Sequence, residues 1–218
     1  MTYRADFHGR PQGHRNFVRP EDDPPGTSRL FIAVPLPDEV RARVGELMGQ
    51  VAGGQIEERA YGQPRWVRVE GLHLTLRFLG ATPDGRIEEL GKAIERAASD
   101  VPAFDAALAG AGAFPSQSRP RVLWLGIVEG ADRLGLLAAG VAEQLTPMGW
   151  PPDDRPFQAH LTLARTDGVP GADAAAERLI QAAQAVRLTW QVDRLVLYKS
   201  VLGRGPARYE VLAEARLG

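Results

Sequence analysis

The sequence of 218 residues contains no cysteine. Disulfide bonds, thiolate metal sites and cysteine nucleophiles are therefore excluded. No apolar run approaches the roughly 20 residues that span a bilayer. The first residues likewise contain no apolar stretch that could serve as a secretion signal. These absences predict a protein of the cytoplasm that has no contact with a membrane.

Lysine is nearly absent as well, because it occurs only at positions 92 and 199 among 26 basic residues, and the net charge is −1. A protein that coats nucleic acid without sequence preference depends on many phosphate contacts, which this charge balance does not supply. A local pocket lined by arginine is still compatible with this charge balance. Arginine suits such a pocket because it binds phosphate in a bidentate manner. Aromatic residues make up only 7% of the chain. Trp66, Tyr198 and Tyr209 flank predicted strand ends, and we interpret each first as a packing residue.

The remaining residues divide into an N-terminal tail and one patterned domain. Residues 1–27 carry Pro, Gly, Asp and Arg without periodicity and predict a tail ahead of a domain at 28–218. In that domain, short apolar or alternating runs predict strands, and apolar residues three or four apart predict helices. The predicted strands are 30–36, 72–79, 104–108, 122–128, 157–163, 188–198 and 209–215, the helices lie near 38–51, 84–97, 134–145 and 179–186, and a turn is predicted at 203–205.

Each half of this domain has the order strand, helix, strand, helix, strand. A repeated order of elements is typical of a duplicated unit packed against its copy. The connecting loops are too short for two widely separated domains. We therefore expect an α+β protein of two pseudo-symmetric lobes, each a mainly antiparallel sheet with two helices, facing each other across a central cleft.

A repeated tetrapeptide marks the duplication more sharply. The segments HLTL at 73–76 and HLTL at 160–163 are identical, and each falls in the third element of its half. The chain has only four histidines, so a chance repeat of this kind has a probability of roughly 0.002 on composition alone. In a strand, His73 and Thr75 point to one face and the leucines to the other, and the same holds for His160 and Thr162. Two imidazoles and two hydroxyls are then expected to converge on the cleft.

These groups suit the hydrolysis of a phosphate ester. A neutral imidazole can take a proton from water while a protonated one gives a proton to the leaving oxygen. Histidine can fill both roles near neutral pH, because its unperturbed pKa is about 6.5. The hydroxyls of Thr75 and Thr162 can donate hydrogen bonds to phosphate oxygens as negative charge develops. This scheme requires no metal ion.

With these motifs the chain resembles the 2H phosphoesterase superfamily, and more narrowly the bacterial RNA 2′,3′-cyclic phosphodiesterases, also described as 2′-5′ RNA ligases. The resemblance implies the two-lobed fold, His73 and His160 as catalytic residues, and Thr75 and Thr162 as phosphate-binding residues. It also implies hydrolysis of a 2′,3′-cyclic phosphate to a 2′-phosphate, with His160 as the base and His73 as the acid. The matching segments are 29–40, 65–80, 119–127, 157–165 and 195–217.

No cofactor or metal is implied by this resemblance. The expected partner is an RNA with a 2′,3′-cyclic phosphate end, or a cyclic nucleotide, with no membrane and no obligate protein partner. The chain departs from the family pattern in its longer tail and in Gln158-Ala159, which stand where an Arg-Pro pair is common. That departure puts one substrate contact in doubt.

Two arginines beside the motifs have an ambiguous position. Arg77 has the strand parity of His73 and Thr75, which predicts that it faces the cleft. Arg165 has the opposite parity to His160 and would point away, unless the strand bulges or ends first. The resemblance nevertheless implies that Arg165 contacts phosphate or ribose. Both arginines are therefore candidate substrate-binding residues.

Three other functions stay open on the sequence. The same histidines can run the reverse reaction and join a cyclic phosphate to a 5′-hydroxyl, because acid and base exchange roles in the two directions. A metallohydrolase is disfavoured, since neither H-E-x-x-H nor another close pair of metal ligands is present. A binding module for RNA ends or nucleotides without turnover is disfavoured because both histidines and both threonines are retained. Incubation with a 2′,3′-cyclic nucleotide distinguishes the last possibility from an enzyme.

Overall fold

This computed structural model describes residues 23–53, 63–201 and 207–218. The described residues contain nine strands and four α-helices. Most of the predicted tail and the predicted turn at 203–205 lie outside these residues. The elements in chain order are β1 Thr27–Pro35, α1 Asp38–Ala52, β2 Arg65–Trp66, β3 His73–Pro83, α2 Ile87–Ser99, β4 Phe104–Phe114, β5 Val122–Glu129, α3 Ala131–Leu145, β6 His160–Arg165, α4 Ala172–Ala182, β7 Arg187–Val192, β8 Arg194–Val201 and β9 Arg208–Arg216.

The strands form two antiparallel sheets, one in each lobe. The first sheet has the order β3-β1-β8-β9 and the second has the order β2-β6-β5-β4-β7. The expectation of an α+β protein with two lobes is confirmed. The two lobes are not the two halves of the chain, however, because β4 belongs to the second sheet while β8 and β9 complete the first. Strand periodicity could not reveal this exchange, since it identifies a strand without identifying the strand's neighbours.

The four helices join the lobes in two pairs. Helix α1 packs against α4, and α2 packs against α3. Helix α2 also covers β8 and β9, while α4 covers β4. Each pair therefore joins a helix from the first half of the chain to a helix from the second half. The apolar residues under them belong to one continuous cluster that includes Val44, Leu90, Leu134 and Leu179, so the lobes share a single core. Within the described residues, no helix is both long and apolar enough to cross a membrane.

The structure corrects two local predictions. The strand expected at 157–163 begins only at His160, after a segment with three prolines that cannot donate ladder hydrogen bonds. The single strand expected at 188–198 is two strands, β7 and β8, which lie in different sheets.

Candidate active site

The two repeated tetrapeptides lie at the centre of the molecule. His73 is the first residue of β3 and His160 is the first residue of β6. Although these strands belong to different sheets, they are in contact with each other where the lobes meet. In both strands the histidine and the threonine are half-buried while the leucines between and after them are buried. The predicted alternation therefore holds through all four residues of each motif.

Each histidine ring is fixed by the backbone carbonyl two residues before it. Nδ1 of His73 lies 2.6 Å from the carbonyl oxygen of Gly71, and Nδ1 of His160 lies 2.7 Å from that of Gln158. A carbonyl oxygen only accepts hydrogen bonds, so Nδ1 carries the hydrogen in both neutral rings. The lone pair is then on Nε2, which is the nitrogen that remains for a ligand. Because Gln158 acts through its backbone, its departure from the family pattern leaves this anchor unchanged.

His73 lies in a cluster of aromatic rings from the first sheet. Its ring centroid is 4.7 Å from that of Phe31 and 5.0 Å from that of Tyr209, which meets it edge-on. Tyr198 stacks on the Phe31 ring at 5.2 Å. Burial among these rings lowers the pKa of His73 from 6.5 to about 4, and the hydrogen bond to Gly71 opposes this shift only in part. The ring is therefore neutral in the free protein at physiological pH.

His160 lies against two aromatic residues of the second sheet. Phe114 meets the imidazole edge-on at 5.0 Å, and the Trp124 ring lies 6.5 Å away. Burial is the main cause that lowers the pKa of His160, the hydrogen bond to Gln158 opposes it, and the nearby Arg165 guanidinium lowers it further. Burial thus favours the neutral form of both candidate catalytic rings.

A β-bulge follows the same motif residue in each lobe. The register of β3 against β1 skips Leu76, and the register of β6 against β5 skips Leu163. A bulge adds one residue to a strand and reverses the side on which later residues point. After the bulge, Arg77 is buried at 8% exposure and Phe78 is exposed at 56%. The parity prediction for Arg77 is therefore wrong, and it is Phe78 that shares the face of His73.

Arg77 is engaged by the segment that leads into β6. Its guanidinium forms an ion pair of 2.8 Å with Asp153 and donates a hydrogen bond to the carbonyl of Pro151. The same segment is fixed a second time, because Trp150 donates to the carbonyl of Leu79 at 3.2 Å. Arg77 therefore ties the strand of one histidine to the approach to the other, and does not present its charge to the cleft.

The bulge in β6 has the opposite effect on the position of Arg165. The skipped Leu163 brings Arg165 to the face of His160, which is the one condition under which its parity allowed a substrate contact. Its side chain is exposed and forms no hydrogen bond or ion pair with any other residue that the structure describes. Burial raises the pKa of Tyr209, and the Arg165 guanidinium opposes that shift. Since Tyr209 contacts His73, Arg165 from one lobe lies within electrostatic range of the site in the other.

The threonine hydroxyls complete this set of groups. Neither Thr75 nor Thr162 donates a side-chain hydrogen bond to another residue in the described ranges, so both hydroxyls remain for a ligand. The same ranges contain no group of three or more His, Asp or Glu side chains placed to hold a metal ion. The cleft thus offers two imidazoles, two hydroxyls and one guanidinium for a small anion.

Sequence reasoning missed the aromatic residues that set the histidines' environment. Phe31, Phe114 and Trp124 lie on strands far from the motifs in sequence, and only the sheet pairing brings them to the imidazoles. Tyr209, interpreted as a packing residue, packs edge-on against the His73 ring. The one usable signal was the position of these rings in strands whose other residues are small or aliphatic.

Comparison with known proteins places this geometry in a known class. The crystal structure of Escherichia coli LigT complexed with NADP+ matches with a TM-score of 0.63 and 27% identity, covering 88% of this chain and 98% of that one. A second crystal structure, that of a phosphoesterase, matches over the same share of each chain with a TM-score of 0.63 and 28% identity. The fold is that of the LigT-type two-lobed phosphoesterases.

The sequence comparisons give the family. A model of the 2′-5′ RNA ligase superfamily matches residues 36–204. The RNA 2′,3′-cyclic phosphodiesterase of Thermus thermophilus is 36% identical over an alignment of 198 residues that covers 87% of this chain and 90% of the relative. The protein of the same name from Geobacillus stearothermophilus is 35% identical over 187 residues, but the match spans only 56% of that relative. The chain belongs to the 2′-5′ RNA ligase superfamily.

Proposed function

We propose that this protein hydrolyses the 2′,3′-cyclic phosphate at the end of an RNA to a 2′-phosphate by acid/base catalysis with His73 and His160. The observation that carries the proposal is the matched anchoring of the two rings, each held through Nδ1 so that Nε2 remains for the substrate. The names of the relatives in Thermus thermophilus and Geobacillus stearothermophilus support the same substrate.

In the proposed reaction, water attacks the phosphorus while the bond to the 3′-oxygen breaks. Nε2 of His160 takes the proton from the water, and the protonated His73 gives its proton to the departing 3′-oxygen. The products are a 2′-phosphate and a free 3′-hydroxyl. Each histidine changes its protonation state once per turnover, so a proton exchange with solvent restores the starting forms.

The low pKa of His73 sets a condition on this assignment. A ring with a pKa of about 4 is neutral at pH 7, whereas the acid must be protonated. A phosphate anion beside the imidazole favours the charged form and raises its pKa. We therefore propose that the bound phosphate anion raises the pKa of His73, so that the ring takes a proton from solvent and the imidazolium forms only in the complex.

The other polar groups of the cleft bind the phosphate in this proposal. Thr75 and Thr162 donate hydrogen bonds to the non-bridging oxygens, and Arg165 stabilises their negative charge. Arg77 has no part in binding, because Asp153 and Pro151 already engage its guanidinium.

The test is an assay with a short RNA that ends in a 2′,3′-cyclic phosphate, with the product identified by phosphorus NMR. We expect a 2′-phosphate product in the presence of EDTA, since all proton transfers are assigned to side chains. His73→Ala and His160→Ala should each lower turnover by about 10²–10⁴-fold, which is the usual effect of a positioned acid or base. Glu95→Ala, at an exposed position of α2, is the control. Wild-type rates in either histidine variant contradict the mechanism.

Ligation of the cyclic end to a 5′-hydroxyl is a second candidate, because the matching family is described as 2′-5′ RNA ligases. It is the reverse of the same reaction and uses the same groups. An RNA with a cyclic end, incubated with an excess of 5′-hydroxyl RNA, separates the two. Hydrolysis should exceed joining, because water is the more concentrated nucleophile.

A further inference from the structure

A groove of about 720 Å³ lies beside His160, between the end of β5 and the first turns of α3. Its walls are mainly apolar and include Trp124, Gly126, Leu136 and Phe157. The groove adjoins the candidate active site, because two of its lining residues contact the His160 ring: Gln158 through its carbonyl and Trp124 through its indole. Its volume falls in the range of small-molecule sites, roughly 300–1,000 Å³.

The groove has a flat aromatic wall that is held in place by glycine. A Cβ added to Gly112 would lie 2.4 Å from the Trp124 ring, so only glycine allows the indole to lie across β4. Trp124 is paired with Thr162 on the neighbouring strand. The residue paired with Thr75 in the first sheet is Ala33. The two lobes thus repeat the histidine and the threonine but not the indole, which makes the cleft asymmetric.

The groove presents an exposed apolar surface. Leu136 is 57% exposed and Phe157 is 36% exposed, although both side chains line a concave groove. Asp132 and Gln158 supply polar groups among them. A carboxylate accepts hydrogen bonds from the exocyclic amino group of a base, and an aromatic wall stacks on its face. The combination suits a nucleobase.

We propose that this groove binds the nucleoside that precedes the terminal one in the RNA. The inference rests on the proposed function, in which the terminal nucleotide occupies the cleft beside Thr75, Thr162 and Arg165. The next nucleoside must leave the cleft, and the groove that begins at Gln158 gives it an apolar surface and a stacking partner. The protein should therefore prefer a chain of at least two nucleotides to a single cyclic nucleotide.

Gly135 offers a variant that fills the groove without disturbing the fold. It lines the groove within α3, and a Cβ at this position meets no atom within 4 Å. Replacing it by leucine favours the helix, since glycine is among the poorest helix formers. Gly85 also has open space around its Cβ and lies outside the groove, so Gly85→Leu is the matched control.

The experiment compares kcat/KM for adenosine 2′,3′-cyclic phosphate with that for the ApA dinucleotide that carries the same cyclic end. The wild type should favour the dinucleotide by about tenfold, the usual effect of stacking one base. Gly135→Leu and Phe157→Ala should lose most of this preference through a higher KM for the dinucleotide, whereas Gly85→Leu should retain it.

The outcomes separate the inference from the proposed function. If the wild type hydrolyses both substrates with equal kcat/KM, or if Gly135→Leu keeps the wild-type preference, the groove is not the subsite and the proposed function stands. If the wild type hydrolyses neither substrate, the proposed function fails and the inference fails with it. Circular dichroism of each variant confirms that the fold is retained.

Discussion

The buried environment of His73 should make the unfolding free energy of the protein depend on pH. The substitution His73→Gln isolates this contribution. Its pKa is lowered from 6.5 to about 4 in the folded protein by burial against Phe31 and Tyr209. Below pH 6.5 the unfolded chain therefore binds a proton that the folded protein does not. The unfolding free energy is therefore highest, as far as His73 is concerned, above pH 6.5, and it falls as the pH is lowered toward 4.

The magnitude follows from the two pKa values. Between about pH 7.5 and pH 5, the difference in proton binding amounts to about 2 kcal/mol of unfolding free energy from His73 alone. We expect urea unfolding of the wild type to lose this amount relative to His73→Gln, whose side chain does not titrate. Carboxylates contribute equally to both proteins, so they cancel in the comparison.

The difference between the two unfolding curves is the decisive quantity. His160, whose pKa is also lowered, is present in both proteins and cancels as well. A difference that stays constant within about 0.5 kcal/mol over this pH range would refute the reasoning that burial keeps His73 neutral. NMR titration of the His73 ring in the folded protein gives an independent value, which should rise when inorganic phosphate is added.

Four further predictions follow from the site and its supports. A phosphodiester with a nitrophenol leaving group needs little protonation, so it should restore activity to His73→Ala but hardly to His160→Ala; equal recovery in both contradicts the assignment of acid and base. Arg165→Met should raise KM for the cyclic substrate at least tenfold while leaving the melting temperature within error, and an unchanged KM removes Arg165 from the site. Gly112→Ala should displace the Trp124 ring, lower the unfolding free energy by about 1–3 kcal/mol and shift the tryptophan fluorescence, while Gly85→Ala serves as the control for a position with open space. Asp153→Asn should cost about 1–2 kcal/mol in urea unfolding, because the buried guanidinium of Arg77 loses its carboxylate, and a cost below that of Asp154→Asn argues against this role.

The sequence was informative where chemistry and periodicity coincide. The repeated HLTL segments gave the two histidines, the two threonines and the buried leucines, because a period of two is a local property of a strand. The bulges at Leu76 and Leu163 are set by pairing with β1 and β5, so the parity beyond them could not be predicted. That is why Arg77 was expected in the cleft and Phe78 was not noticed.

Pairing between distant strands was the second limit. The duplication predicted two lobes, but nothing in the local pattern of β4, β8 or β9 shows which sheet each joins. The same limit applies to Phe114 and Trp124, whose relation to His160 exists only through the register of the second sheet. The element boundaries that failed, at His160 and at the junction of β7 and β8, lie next to prolines or to a crossing between sheets.

The exchange of strands between the lobes has a consequence for synthesis on the ribosome. The strands β4, β5, β6 and β7 of the second sheet follow one another along the chain, so they can pair soon after they emerge. The first sheet is different, because β1 pairs with β8, which is among the last segments made. Until β8 has been made, the edge of β1 that faces away from β3 has no partner strand. Such open edges are prone to intermolecular pairing. The lobe that is begun first is finished last, so its β1–β3 pair keeps an open edge until β8 has been made.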